Sequence, residues 1–166
     1  MPKTIQEGRY KIRRSPDPDS LIIPADSANS LAILGPEDPS CEETGIWILT
    51  FDASYSSLDC VASKGAMVAT LQHEGTQAYL AIQKPISPDQ QPSILVSSDD
   101  KQAWTINPTG KTGYGKEEDY YIGYPRLVQG EVMVVDTLML RVYPPRLALR
   151  PFEDGMTLPW RFEPVV

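Results

Sequence analysis

The segment Pro159-Trp160-Arg161-Phe162, near the C-terminus, alternates apolar and polar side chains as a half-buried β-strand does. Two similar segments precede it, Ile46-Trp47-Ile48-Leu49 and Ala103-Trp104-Thr105-Ile106. They contain the three tryptophans of the chain, which are spaced 57 and 56 residues apart. A regular spacing of this length indicates an internal repeat.

Each tryptophan segment closes a set of four β-rich runs that are bounded by Gly, Pro, Asp and Ser, as strands are. We therefore predict an all-β fold, the β-trefoil, with twelve strands in three pseudo-repeats of about 55 residues. Six strands would close a barrel and six would form a triangular hairpin cap, which leaves few exposed edges. The predicted single domain covers residues 1–166, with pseudo-repeats at approximately 8–52, 58–109 and 117–164. The tryptophans are assigned to its core.

The composition narrows the classes of function. The chain has 166 residues, of which 41% are hydrophobic and 22% charged, as in soluble folded domains. Its net charge of −7 disfavours nucleic acid and anionic membranes as partners. No apolar run is long enough to span a bilayer, and the first eight residues lack a hydrophobic signal region. We expect a cytoplasmic monomer, or a secreted one if a leader has been removed.

Few residues suit catalysis or metal binding. Cys41 and Cys60 are too few for a disulfide framework or a cysteine zinc site, so we predict free thiols. His73, the one histidine, lies in Gln72-His73-Glu74-Gly75, which resembles an exposed turn. The segment beginning Gly110-Lys111-Thr112 lacks the earlier glycine of a phosphate-binding loop and is interpreted as a flexible connection. We predict no catalytic residue, metal or cofactor, and the enzyme hypothesis is the weakest of those considered.

Both ends of the sequence resemble one family. The start, Gln6-Glu7-Gly8-Arg9-Tyr10-Lys11-Ile12-Arg13, resembles the Asp-Gly-x-Tyr-x-aliphatic-Arg start of the mycocypins, the mushroom β-trefoil protease inhibitors. The segment Pro159-Trp160-Arg161-Phe162 is similar to their closing strand, and Ile46-Trp47 to their first Ile-Trp strand. Related fungal β-trefoil serine protease inhibitors share this layout. The resemblance implies a fungal, defensive protease inhibitor.

In the cysteine protease inhibitors that the chain resembles, the first and third loops block the active-site cleft. A papain-like cysteine protease is therefore the first expected target, and a trypsin-like serine protease is the second. In the first loop, prolines fix the backbone and the arginines suit an acidic specificity pocket. Asn29 suits an asparagine-preferring protease, although asparagine is also a common turn former. The candidate protease-binding residues are Arg13, Arg14, Ser15, Pro16, Asp17, Asn29, Pro36, Glu37, Asp38 and Pro39.

A carbohydrate-binding lectin on the same scaffold is the alternative function, because one fold hosts several functions. Gln102-Ala103-Trp104 is one copy of the Gln-x-Trp motif of ricin-B type lectins, but Gly45 and Leu158 occupy the equivalent positions. A tyrosine-rich region is expected to line strands or to form a sugar-binding shelf, and it contains Tyr114, Tyr120, Tyr121 and Tyr124. The last loop offers Phe152 and Met156 as exposed anchors, while Leu158 is expected to fold inward.

Overall fold

The computed structural model describes residues 5–14, 20–24, 32–36, 45–52, 66–83, 94–112, 118–137, 144–153 and 156–166. These residues form twelve β-strands in three sets of four. The first set is β1 (Gly8–Arg14), β2 (Ser20–Pro24), β3 (Ala32–Pro36) and β4 (Ile46–Phe51). The second is β5 (Met67–His73), β6 (Tyr79–Ile82), β7 (Leu95–Ser98) and β8 (Ala103–Thr112). The third is β9 (Glu118–Gly123), β10 (Met133–Thr137), β11 (Leu147–Pro151) and β12 (Trp160–Pro164).

Six of the strands close a barrel. The first and last strands of the sets pair antiparallel in the circular order β1, β4, β5, β8, β9, β12, and β12 pairs again with β1. Every strand of this ring therefore has a partner on both sides, so the barrel exposes no unpaired edge to other chains. Along each barrel strand the alternate side chains point inward and are buried, among them Ile12, Leu71 and Ile122.

The remaining strands form three hairpins, β2–β3, β6–β7 and β10–β11. Each hairpin joins the barrel strand that precedes it, through Arg13 opposite Leu21, Gln72 opposite Tyr79, and Gly123 opposite Val134. Bridges link the third strands of the three sets to one another, with Ile33 opposite Arg146 and Ile94 opposite Ala148. Barrel, hairpins and bridges together confirm the predicted β-trefoil.

The three tryptophans have the core role that the repeat predicts. Each side chain is fully buried, and each indole nitrogen donates a hydrogen bond to a carbonyl oxygen of the hairpin in its own set. Trp47 donates to Ile22 over 2.8 Å, Trp104 to Leu80 over 2.9 Å, and Trp160 to Val135 over 3.1 Å. These bonds tie the barrel wall to the cap and satisfy both buried partners.

Three local expectations are wrong. His73 is buried with 3% exposure, because its ring packs edge-on against Trp47 at the end of β5. Leu158 is 36% exposed instead of folding inward. Residues 110–112, interpreted as the start of a connection, complete the ten-residue strand β8, where Thr112 pairs with Glu118. For His73 the contact with Trp47, which is distant in the chain, decides a conformation that the local sequence leaves open.

Replacing Trp104 with phenylalanine tests the core assignment. Trp104→Phe removes the indole donor and leaves the buried Leu80 carbonyl without that hydrogen bond, so we expect the free energy of unfolding to fall by about 2–3 kcal/mol. Urea denaturation measures the change. The matched control Met156→Ala alters a side chain that is 72% exposed and should stay within about 0.5 kcal/mol. Equal urea midpoints for Trp104→Phe and the wild type would contradict the assignment.

Candidate binding surface on the third repeat

The two arginines predicted to begin the first loop are part of strand β1 instead. Arg13 forms an ion pair with Glu163 on the neighbouring strand β12. The Arg14 guanidinium lies 3.0 Å from Asp136 Oδ1 and 5.4 Å from the ring centroid of Trp160. Insertion of either arginine into a protease pocket would first require these contacts to break, which favours a structural role for both.

Most of the other predicted protease-binding residues lie outside the described residues. Pro36 is the last residue of β3, opposite Ser20 of β2. The others are Ser15, Pro16, Asp17, Asn29, Glu37, Asp38 and Pro39. Their assignment to a protease-binding surface stays a prediction.

The tyrosine-rich region separates into core and surface. Tyr120 is buried, with its ring 5.7 Å from that of Phe162, and Tyr124 packs against Trp104 at 6.5 Å. Tyr114 lies outside the described residues. Tyr121 points to the outer side of the barrel, because its neighbours Tyr120 and Ile122 fill the inside. Tyr121 is half-buried, and its ring contacts a second aromatic ring at the surface.

That second ring belongs to Phe152, which is 36% exposed and follows strand β11. The ring centroids of Tyr121 and Phe152 are 5.0 Å apart with an interplanar angle of 74°, an edge-to-face arrangement. The Phe152 amide donates a hydrogen bond to the Val132 carbonyl over 2.8 Å, which fixes its backbone beside the start of β10. The half-buried Tyr121 ring thus holds the exposed Phe152 ring in a defined orientation.

Polar groups flank the two rings. Asn107 on β8 lies directly opposite Tyr121 and donates to Thr105 Oγ1 over 2.9 Å, which orients its amide. Glu153 follows Phe152 in the chain and is exposed. We call Tyr121, Phe152, Asn107 and Glu153 the aromatic site. An exposed ring with an amide and a carboxylate nearby can bind a ligand that has both an apolar face and polar groups.

The connection between β11 and β12 is described at residues 152–153 and 156–159, and hydrogen bonds close its base. Glu153 N donates to Thr157 Oγ1 over 3.0 Å, and the Glu153 carbonyl accepts from Met156 N at 3.0 Å and from Thr157 N at 2.9 Å. Thr157 is buried, whereas Met156 is 72% and Leu158 36% exposed. We call this segment the β11–β12 loop. It presents apolar side chains from a base that the hydrogen bonds hold in place.

Gln102, the residue shared with the lectin motif, has a structural contact. Its Oε1 accepts a hydrogen bond from Ile82 N over 2.9 Å, which joins the end of β6 to the start of β8. In the first repeat a side chain at the equivalent Gly45 would require Leu21 to move, because its Cβ would lie 2.8 Å from Leu21 Cδ1. The motif residue thus supports the hairpin of its own repeat.

Within the described ranges, no group of three or more His, Cys, Asp or Glu side chains is arranged to hold a metal ion. The same residues contain no helix of the length and apolarity that a membrane span needs.

The sequence matches no protein-family profile and no curated protein. The fold is similar to that of the Rhizoctonia solani agglutinin, with a TM-score of 0.72 and 13% identity over 99% of this chain and 100% of the other. A Macrolepiota procera ricin B-like lectin, solved with lactose, gives 0.66 and 16% over 98% and 100%. A mosquitocidal holotoxin gives 0.72 and 13% over 98% of this chain, which spans 18% of its length. Identities this low show the β-trefoil fold alone.

Replacing Arg14 tests whether it is structural. Arg14→Ala leaves the mostly buried Asp136 carboxylate without its cation, so we expect the free energy of unfolding to fall by about 2–3 kcal/mol. Arg14→Lys should recover part of the loss, since it restores the charge but not the planar contact with Trp160. Thermal and urea denaturation measure both changes. With exposed Arg126→Ala as the control, equal stability of the Arg14→Ala variant and the wild type would contradict the structural role.

Proposed function

We propose that this chain is a non-catalytic binding protein that binds carbohydrate through the aromatic site. The observation that carries the proposal is the edge-to-face pair of Tyr121 and Phe152, half-buried and exposed respectively, with the oriented Asn107 amide opposite Tyr121 and Glu153 next to Phe152 in the chain. The fold adds support, because the similar structures include an agglutinin and a lectin solved with lactose.

The chemistry of a pyranose fits this arrangement. One face of the sugar ring presents C–H groups that pack on an aromatic ring, and its hydroxyls donate and accept hydrogen bonds. Phe152 offers the ring, and Tyr121 holds that ring in place, so little side-chain freedom is lost on binding. Asn107 pairs with Tyr121 across the sheet, and Glu153 is the next residue after Phe152, so an amide and a carboxylate are available to the hydroxyls. Together they would select the orientation of the hydroxyls.

The pseudo-symmetry indicates one such site in the chain. In each set, one residue of the first strand pairs with the tryptophan of that set: Tyr10, Ala69 and Tyr120. The residue after each of these is Lys11, Thr70 and Tyr121, so Lys11 and Thr70 are the equivalents of Tyr121. Counting from the hairpin pairs places Glu37 and Asp100 at the positions equivalent to Phe152. Since none of these four residues is aromatic, the pair of aromatic rings belongs to the third repeat alone.

Removal of the exposed ring tests the carbohydrate proposal. Phe152→Ala should weaken binding of a glycan identified on an array by about fivefold to tenfold, since an aromatic contact contributes about 1–1.5 kcal/mol. Calorimetry measures the affinity. Met156→Ala is the matched control, because it changes an exposed apolar side chain of the same loop and leaves both rings in place. The proposal is wrong if the array shows no binding, or if Phe152→Ala binds as tightly as the wild type.

Protease inhibition is the second candidate, and the β11–β12 loop favours it. A protease cleft accepts a segment whose backbone is already ordered, because prior order reduces the entropy lost on docking. The three hydrogen bonds of Glu153 supply that order at the base of the loop, and Met156 is the most exposed apolar side chain of the loop. The surface predicted at Ser15–Asp17 and Glu37–Pro39 belongs to the same proposal.

Inhibition assays separate the two candidates. The wild type is titrated against papain, a cathepsin, legumain, trypsin and chymotrypsin. If the β11–β12 loop inhibits, Met156→Asp should raise the inhibition constant at least tenfold, because a carboxylate in an apolar pocket is costly. Inhibition that survives Met156→Asp would point to the first and third loops, which Glu37→Ala with Asp38→Ala would test. The inhibitor proposal fails if micromolar protein inhibits none of these enzymes.

A further inference from the structure

His73 holds the turn between β5 and β6 through its side chain. The backbone N–H of Thr76 donates to His73 Nδ1 over 3.1 Å, and the Thr76 hydroxyl lies 3.1 Å from the same nitrogen. Backbone bonds close the turn from both sides, with His73 N donating to Ala78 O over 2.7 Å and Gln77 N donating to His73 O over 2.9 Å. The imidazole is therefore an internal part of the turn, not a group on its surface.

These contacts fix the protonation state of the ring. A backbone N–H can only donate, so Nδ1 must accept, and the ring is neutral with its proton on Nε2. A second proton on Nδ1 would face the Thr76 N–H and remove this hydrogen bond. It would also place a cation in a side chain that is 3% exposed and packed 5.1 Å from Trp47. Both effects act against protonation of the closed turn.

The backbone of the turn depends on side-chain support. Gln77 has φ of 63°, in the left-handed region that residues with a Cβ rarely adopt. Gln72 Nε2 donates to Gln77 O over 2.8 Å, and Gln77 Nε2 donates to Glu74 O over 2.7 Å. The turn therefore stores backbone strain, which these hydrogen bonds and the His73 contact offset.

The turn is also joined to the barrel through Glu74. Its carboxylate forms a two-bond ion pair with Arg9 of β1, at 2.7 Å to Nε and 2.9 Å to Nη2. Its amide donates to the Ile46 carbonyl over 2.9 Å. Opening of the turn would release both contacts and expose the seam between β1, β4 and β5.

We propose that His73 is an acid-sensitive latch: protonation of its ring between pH 7.5 and 5 breaks the Thr76 hydrogen bond and opens the turn between β5 and β6. The proposal is independent of the carbohydrate and inhibitor functions. His73, the one histidine of the chain, lies where the turn requires a neutral hydrogen-bond acceptor. A histidine ordinarily takes up its proton near pH 6.5, so acid acts directly on this acceptor.

Among the residues that the structure describes, Arg9 and Glu74 are charged groups that face this turn. The side-chain hydrogen bonds from Arg9 hold the pKa of Glu74 below its usual value of 4.5, so Glu74 stays charged throughout the proposed range. Its contribution to stability is present above the unfolded-state pKa and is lost only as the pH falls below about 4.5. The Arg9 cation opposes a further positive charge nearby, while the Glu74 anion favours one. Charge on His73 also lowers the pKa of Glu74, so these two side chains are coupled.

Hydrogen exchange measured by NMR tests the latch in the intact protein. Protection factors, which correct for the intrinsic pH dependence of exchange, are compared at pH 7.5 and 5.0. We expect those of Thr76, Gln77 and Ala78 to fall at least tenfold in the wild type, while the barrel amides Ile12 and Ile122 stay within twofold. Unchanged protection of the three turn amides would overturn the proposal.

Two variants sharpen the test. His73→Asn keeps an acceptor oxygen near the place of Nδ1 but cannot be protonated, so its turn amides should have the same protection at both pH values. Glu74→Gln removes the other acid and should retain the fall seen in the wild type. If His73→Asn fails to fold, the ring nitrogen shifts of the wild type decide. A ring that titrates without a change at Thr76, or stays neutral to pH 4.5, contradicts the latch.

Discussion

The fold depends on three equivalent hydrogen bonds from tryptophan indoles to the carbonyl oxygens of the hairpins. Each bond connects the barrel strands of one repeat to its hairpin. A single four-stranded repeat would leave its apolar face uncovered, so neither part is stable alone. The indoles of Trp47, Trp104 and Trp160 lie inside the closed barrel, and their acceptors Ile22, Leu80 and Val135 are themselves buried. Because all three bonds are satisfied together, the barrel and the cap stabilise each other.

The residue that packs against each tryptophan varies between repeats, and this variation explains the roles of Arg14 and His73. Arg14 pairs with Trp160, and His73 pairs with Trp47. Arg14 follows Tyr10 by four residues and His73 follows Ala69 by four, and Tyr10 and Ala69 each pair with the tryptophan of their own set. Tyr124 contacts Trp104 from the corresponding place. Three side chains with different chemistry thus solve one packing problem. A charge at this position needs a partner, which Asp136 supplies for Arg14.

The period of the sequence predicts most of the fold. Twelve apolar runs at regular spacing match twelve strands, because strand formation and burial of tryptophan depend on a pattern that local residues display. The ion pairs of Arg13 and Arg14 could not be predicted in this way, since their partners Glu163 and Asp136 are 150 and 122 residues distant in the chain. Basic residues followed by prolines predict a loop, but strand β1 continues through Arg13 and Arg14.

The aromatic site likewise results from register. The sequence predicts Phe152 as an exposed anchor of its loop, but its contact with Tyr121 depends on the pairing of β10 with β9 at Gly123. A side chain at that residue would collide with Thr105 Oγ1, so glycine permits the close approach of β8. Because β11 pairs with β10 and β10 with β9, the end of β11 lies near β9, and the rings of Phe152 and Tyr121 meet. The scaffold repeats three times. The surface that we propose for binding arises in the third repeat, where the pairing of β10 with β9 brings two aromatic residues together. Symmetry accounts for the stability of the chain, and departure from symmetry accounts for the proposed binding site.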